Sequence, residues 1–270
     1  MPLKPMSPEQ LRQFSQSHHE NAYLLVDVRQ PEEYRRGHIP GALLIPLPEL
    51  VRSMKRLPAD KELIFYCHSG GRSMAAAAMV AEEGEHPTIY NLTGGMLAWD
   101  GARIGDMPRV HLFAGQSMPE MLHTAMNLEK GAQRFYESVS RQGAAHSWAQ
   151  TFAVLARAEV AHARVVHGFW RKLQSEAPAF EALYDQLSGE LLEGGMPLEE
   201  ALKKAAAVED QQCLRFMELA LQIEYAAYDL YRSLAEQSGA EADRAAFIHL
   251  AQAEKAHMQG LIKTLEGCNG

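Results

Sequence analysis

ELIFYCHSGGRSMAAAAMVAEE, residues 62–83, passes in one short stretch from an apolar run, through a glycine-rich loop, into an alanine-rich segment. Glu62–Tyr66 reads as a buried strand and Ser73–Glu83 as a helix, because β-branched and aromatic residues suit the first and alanine the second. Cys67 therefore opens a tight loop between a strand and a helix N-terminus. Gly70 and Gly71 let the backbone curl so that successive N–H groups point inward, and the helix adds its positive end. Such a cradle favours a sulfur anion. The Cys67 thiol is expected to have a lowered pKa, helped by Arg72 and His68, with Ser69 and Ser73 completing the loop. The opposite reading, a buried inert thiol, is the commoner fate of a lone cysteine. A loop of this composition at such a junction argues against it.

Outward from this loop, Tyr23–Asp27 is a second buried strand, and short apolar runs alternate with helical stretches up to about residue 105. That alternation implies a parallel α/β sheet with flanking helices. The stretch also contains Leu25-Val-Asp-Val-Arg29, Glu33-Tyr34, Gly37-His-Ile-Pro-Gly-Ala42, and Leu92-Thr-Gly-Gly-Met96 ahead of Trp99. With the Cys-x-x-Gly-x-Arg loop of Cys67 and Arg72, these motifs make residues 5–102 resemble the rhodanese family. The resemblance implies that Cys67 takes up sulfane sulfur as a persulfide, with Arg72 beside it. His68, Ser69, Gly70, Gly71 and Ser73 would form the substrate loop, and a sulfane-sulfur donor and a thiol acceptor would be the partners. The loop has the length of the sulfurtransferase branch, one residue shorter than is usual in the arsenate- and phosphate-handling relatives. It lacks the lysine seen beside the cysteine of thiosulfate-preferring members, so the donor stays open. Asp27, Arg29 and His38 are read first as residues that pin strand ends and loops.

Residues 106–119 contain isolated apolar residues among Gly and Pro and read as a linker between a first domain, 1–105, and a second, 120–270. In the second, Met121–Arg141, Ser147–Leu173, Leu198–Glu236 and Ala240–Leu265 carry apolar residues at helical spacing, with breaks at Gly143, Gly194-Gly195 and Gly239. Sliding residues 125–162 onto 220–257 without a gap gives 14 identities, where chance gives about 3. Glu129 matches Glu224, Tyr136 matches Tyr231, Glu159 matches Glu254 and His162 matches His257. Such self-similarity signals a duplicated helical hairpin whose copies bury one core.

Glu159 with His162, and Glu254 with His257, stand three residues apart, so each pair shares a helix face. Glu129 and Glu159 are equidistant from position 144, and Glu224 and Glu254 from Gly239. Antiparallel hairpins turning there bring four carboxylates and two imidazoles to one level. A single such Glu is ordinarily solvated, but four in apolar surroundings would be prohibitive without cations. The arrangement resembles the ferritin-like di-iron carboxylate proteins, rubrerythrins most, over residues 120–265. The resemblance implies an all-α four-helix bundle with two iron ions, bridged by Glu159 and Glu254. Glu129 and Glu224 would be terminal ligands, and His162 and His257 would cap one metal each. Mixed oxygen and nitrogen ligation suits redox-active iron or manganese, and zinc is a further alternative. Two departures stand out. The seventh ligand of rubrerythrins falls on Leu221, and their paired Cys-x-x-Cys site is missing, so an external electron donor is implied. Tyr136 and Tyr231 lie two turns beyond Glu129 and Glu224, as carboxylate partners, electron shuttles or plain core aromatics. His111, His123, His146, His167 and His249 have no repeat partner and are left as surface or supporting residues.

A formal charge of −8 over 270 residues, with acidic groups dispersed, gives no reason to expect nucleic acid or an anionic membrane. No basic and apolar leader opens the chain, and no apolar run approaches the ~20 residues of a membrane span. A soluble, cytoplasmic protein is expected, and a homodimer is compatible with the bundle. Cys67, Cys213 and Cys268 make neither a disulfide framework nor a Cys-x-x-Cys site, which favours a reducing compartment. The expected function is a sulfurtransferase fused to a di-iron redox centre that reduces peroxide or dioxygen. The alternative is an iron-binding or sensing bundle with a rhodanese adaptor or stand-alone sulfurtransferase.

Overall fold

The computed structural model describes residues 3–83, 86–174, 176–209 and 212–269. The chain divides into two compact units, Met1–Met107 and Pro108–Gly270, whose outermost residues Met1 and Gly270 lie outside the described residues.

The first unit runs β1 (Leu3–Met6), α1 (Pro8–Ser17), β2 (Tyr23–Asp27), α2 (Pro31–Arg36), β3 (Leu43–Leu44), α3 (Leu47–Ser53), β4 (Glu62–Tyr66), α4 (Gly71–Glu83), β5 (Ile89–Leu92) and α5 (Gly95–Ala98). The five strands are parallel in the order β1-β5-β4-β2-β3. Successive side chains of a strand point to opposite faces, so each central strand feeds two cores. Leu25, Ile64 and Tyr66 meet Leu11 of α1 and Met96 of α5 on one face. Leu24, Val26, Leu63 and Phe65 meet Leu50 of α3 and Ala76, Ala77 and Val80 of α4 on the other. Asp27 pairs with Tyr66 in register, so β2 and β4 end together and deliver Val28 and Cys67 to the carboxyl edge of the sheet. In open parallel sheets that edge is where ligands bind.

The second unit contains α6 (Met118–Gln142), α7 (Ala149–Lys172), α8 (Phe180–Tyr184), α9 (Leu198–Ala206), α10 (Gln212–Gln237) and α11 (Glu241–Glu266). Short turns join α6 to α7 and α10 to α11, making two antiparallel hairpins. Trp148 packs over Gly143 at the first turn, where a Cβ would lie 2.1 Å from its ring. Core residues from all four long helices pack together, including Leu122 and Leu128, Ala163 and Val166, Leu230 and Leu234, and Leu250 and Ala251. Among the described residues, no helix is long and apolar enough to cross a membrane.

Three details differ from the sequence reading. The stretch Leu198–Glu236 is not one helix: α9 ends at Ala206 and α10 begins at Gln212. No Gly or Pro marks that break, so helical periodicity ran through it. The segment read as a linker contributes a 3-10 turn, Val110–Phe113, and Phe113 is buried against Phe247 of α11. Cys213 and Cys268 form a disulfide with Cα atoms 5.5 Å apart. Their 55-residue separation hid this, because only the antiparallel return of α11 along α10 brings the start of one beside the end of the other.

Candidate functional site

At the carboxyl end of β4, Cys67 is buried, its sulfur accepts the Gly70 N–H at 3.2 Å, and the Ser73 hydroxyl, 3.4 Å from the sulfur, shares its proton with the Gly70 carbonyl at 3.1 Å. Burial pushes the thiol pKa up, but hydrogen bonds from the Ser73 hydroxyl and from the backbone of Ser73, Ser69 and Gly70 outweigh it, and the net direction is down. The loop is held from behind. Met96 N–H donates to the Cys67 carbonyl and Leu97 N–H to that of His68, both at 2.9 Å. Gly95 makes this approach possible, since it has φ +54° and a Cβ there would lie 2.3 Å from the Cys67 carbonyl oxygen.

Arg72 is engaged first with Glu33 and also interacts with Cys67. Its two terminal nitrogens bond the two carboxylate oxygens at 2.7 Å each and hold the Glu33 pKa down to about 2. His68, Ser69 and Gly71 are exposed around the loop. Asp27 and Arg29 form a buried forked pair, and Arg29 also donates to the Gly37 carbonyl at 2.8 Å. His38 Nδ1 lies 3.1 Å from the Tyr34 carbonyl. These residues brace the loops that frame the sheet edge.

In the second unit, α6 supplies Glu129, α7 supplies Glu159 and His162, α10 supplies Glu224, and α11 supplies Glu254 and His257. The four carboxylates are fully buried. His162 Nδ1 lies 3.4 Å from Glu159 and 3.7 Å from Glu129. His257 Nδ1 lies 3.1 Å from Glu224 and 3.4 Å from both Glu159 and Glu254. Ligand atoms of Glu129, His162 and Glu254 likewise come within 4.8 Å of one another. Glu159 and Glu254 are thus within reach of both imidazoles. The tyrosines cross over between the repeats: Tyr136 donates to Glu224, and Tyr231 donates to Glu129 at 3.2 Å.

Burial pushes Glu159 up to about 7 against the pull of His257 and His162, and burial with Glu224 nearby pushes Glu254 well up. Burial would lower the histidines, but the carboxylates around them dominate, raising His162 to about 9 and His257 to about 10. Even so, Glu129 Oε2, both oxygens of Glu159 and of Glu254, His162 Nδ1 and His257 Nε2 have no hydrogen-bond partner. Buried acceptors without donors are what a cation would satisfy, so the residues fit a metal centre.

The sequence reading passed over Glu193. It belongs to a 3-10 turn, Glu193–Gly195, between the two hairpins, is 1% exposed, and places a carboxylate oxygen within 4.8 Å of ligand atoms of Glu129 and Glu159. The only signal was Gly194-Gly195 directly after it, which read as a break. Of the unmatched histidines, His167 is buried on the Pro178 carbonyl at 3.0 Å, while His111, His123, His146 and His249 are exposed.

The first unit is thus a parallel α/β domain that presents a hydrogen-bonded thiol at the carboxyl edge of its sheet. Residues 7–102 match the rhodanese-like domain family. The chain is 41% identical over 76 residues to a sulfurtransferase of Allochromatium vinosum, covering 28% of this chain and 70% of that one. It is 38% identical over 101 residues to YtwF of Bacillus subtilis, covering 37% of this chain and 94% of that one. It is 32% identical over 79 residues to the thiosulfate sulfurtransferase GlpE of Pseudoalteromonas translucida, covering 29% and 74% of the two chains. The chain belongs to the rhodanese-like family through its first unit.

Proposed function

We propose that the chain is a rhodanese-type sulfurtransferase joined to a di-iron carboxylate redox centre of the ferritin-like kind. In the first half-reaction the Cys67 thiolate attacks the outer sulfur of a sulfane donor R–S–S⁻. A sulfur–sulfur bond forms at Cys67 while the donor's own breaks, and R–S⁻ leaves. In the second, an acceptor thiolate attacks the outer sulfur of the Cys67 persulfide, and the Cys67 thiolate is restored. The Gly70 N–H and the Ser73 hydroxyl hold the negative charge at both ends of the cycle. These two donors on one sulfur at the end of β4 carry this half of the reading.

In the second unit, two iron ions held by Glu129, Glu159, His162, Glu224, Glu254 and His257, with manganese or zinc as alternatives, would supply electrons to reduce peroxide or dioxygen. Tyr136 and Tyr231 orient Glu224 and Glu129 through their hydroxyl protons. The apolar shell of the four helices keeps bulk water from the carboxylates. Buried carboxylate oxygens without donors carry this half. Reduction of peroxide to water takes two electrons from an external reductant, and the proposed link between the units is that persulfide sulfur handed on from Cys67 serves as that reductant and is oxidised as the peroxide is reduced.

The test is peroxide consumption by iron-loaded protein, with and without a persulfide donor, and again with Cys67→Ser. Donor-dependent turnover lost in the variant supports coupling, and identical rates in every case remove it. Tight iron binding without any turnover favours the storage or sensing alternative.

A further inference from the structure

We propose that Glu193 is a seventh ligand and the fifth carboxylate of the set, joining Glu129, Glu159 and His162 on one of the two ions, so that the duplicated halves hold unequal metal positions. This rests on reading the second unit as a metal centre.

The turn that carries Glu193 is built to press inward. Gly195 N–H donates to the Leu192 carbonyl at 2.8 Å, Leu192 N–H to the Met196 carbonyl at 2.7 Å, and Leu198 N–H to the Glu190 carbonyl at 2.8 Å. Gly194 has φ +68° and packs so closely on α10 that a Cβ would lie 2.5 Å from that of Ala226. On the other side, Gly131 of α6 makes room, because a Cβ there would lie 1.9 Å from the Leu191 carbonyl oxygen. Two close glycine contacts thus set the turn between α6 and α10 at the level of Glu129, and Glu193 points its carboxylate into the cluster.

That carboxylate lacks adequate protein partners. Oε1 accepts the Tyr231 hydroxyl at 3.4 Å, but the same single proton also serves Glu129 at 3.2 Å. Oε2 has no partner. In the other half of the repeat, Tyr136 donates to Glu224, and no crossover carboxylate joins it among the described residues. A charged carboxylate in this position requires a cation, and the unpartnered oxygens of Glu129 and Glu159 face the same place. The competing account is a neutral, protonated Glu193 that only braces the turn.

Glu193→Gln separates the two, since the amide keeps the size and neutrality of a protonated acid and loses the charge. Metal-free full-length protein is titrated with Co(II) in competition with a chromophoric chelator, for the wild type, Glu193→Gln, Glu193→Asp and Glu159→Ala. The proposal expects about two equivalents in the wild type, and one binding step weakened by at least ~10-fold in Glu193→Gln, the scale that loss of even an outer partner produces. Wild-type affinity in Glu193→Gln, with binding lost in Glu159→Ala, overturns the role of Glu193 and leaves the metal centre standing. No binding by the wild type overturns both. Should far-UV circular dichroism show Glu193→Gln unfolded, Glu193→Asp decides: one weakened step supports the proposal, and unchanged affinity overturns it.

Discussion

Around Cys67 the protein surrounds one sulfur with its own donors, whereas between α6, α7, α10 and α11 it buries five carboxylates and leaves oxygens of four, Glu129, Glu159, Glu193 and Glu254, without any. Both arrangements are deep in apolar surroundings, so the difference is one of completeness. The thiol loop is a finished anion cradle that lowers the sulfur's pKa against the pull of burial. The carboxylate cluster is proposed to be finished by added positive charge. Without an ion, burial raises the Glu159 pKa and the surrounding carboxylates raise those of His162 and His257, so protons are the expected substitute.

Removing the sulfur has the largest expected effect. Cys67→Ser should abolish persulfide formation, detected as a mass increment of one sulfur after treatment with a sulfane donor, and lower sulfur transfer by about 10³-fold or more. Metal content should not change. A variant that still transfers sulfur would move the chemistry away from the loop.

Metal removal comes next. At 100 to 1,000 times Kd, a bound ion stabilises the form that binds it by ~2.7–4 kcal/mol. Chelation should therefore lower hydrogen-exchange protection in the four long helices and leave β2 and β4 unaffected. The metal-free form should also be sensitive to pH. Glu159, raised from 4.5 to about 7, gives stability that is full below 4.5 and lost as pH rises through 7. His162 and His257, raised from 6.5 to about 9 and about 10, give stability that is full below 6.5 and lost through those values. The metal-free helices should melt at progressively lower temperature from pH 6 to 10. A flat profile would show that protons do not hold the empty cluster.

Smaller effects sharpen the thiol side. Ser73→Ala removes a donor from the sulfur, so the pH midpoint for alkylation of Cys67 should move upward while the fold persists. An unmoved midpoint would leave the lowering to the backbone. Glu33→Gln should cost no more than ~0.5–1 kcal/mol, because the Arg72 partner is 36% exposed and screened. With the Glu33 pKa lowered to about 2, that stability is full above 4.5 and disappears as pH falls through 2, so wild type and variant should converge in acid.

What could be read from the sequence followed from local geometry. The β4 loop was legible because strand, glycines and helix are contiguous, and the six ligand candidates because duplication and three-residue spacing fix a shared face. The roles of Tyr136 and Tyr231 were left open, since which carboxylate each reaches depends on how the hairpins cross. Arg72 interacts with Cys67, as its place in the same loop suggests, but its stronger partner Glu33, 39 residues away, is brought beside it only by the sheet and has no local signal. Glu193 was missed because a turn has no period to betray an inward side chain. Cys213 and Cys268 were missed because their pairing depends on the full lengths of α10 and α11.

The carboxylate cluster is proposed to be incomplete without metal. Elemental analysis of protein purified without chelators tests it most directly, alongside Glu159→Ala and Glu254→Ala. The account predicts about two metal ions per chain, lost in both variants, with sulfur transfer at Cys67 retained. Metal-free wild-type protein that cannot be loaded, yet stays folded from pH 6 to 10, would contradict it.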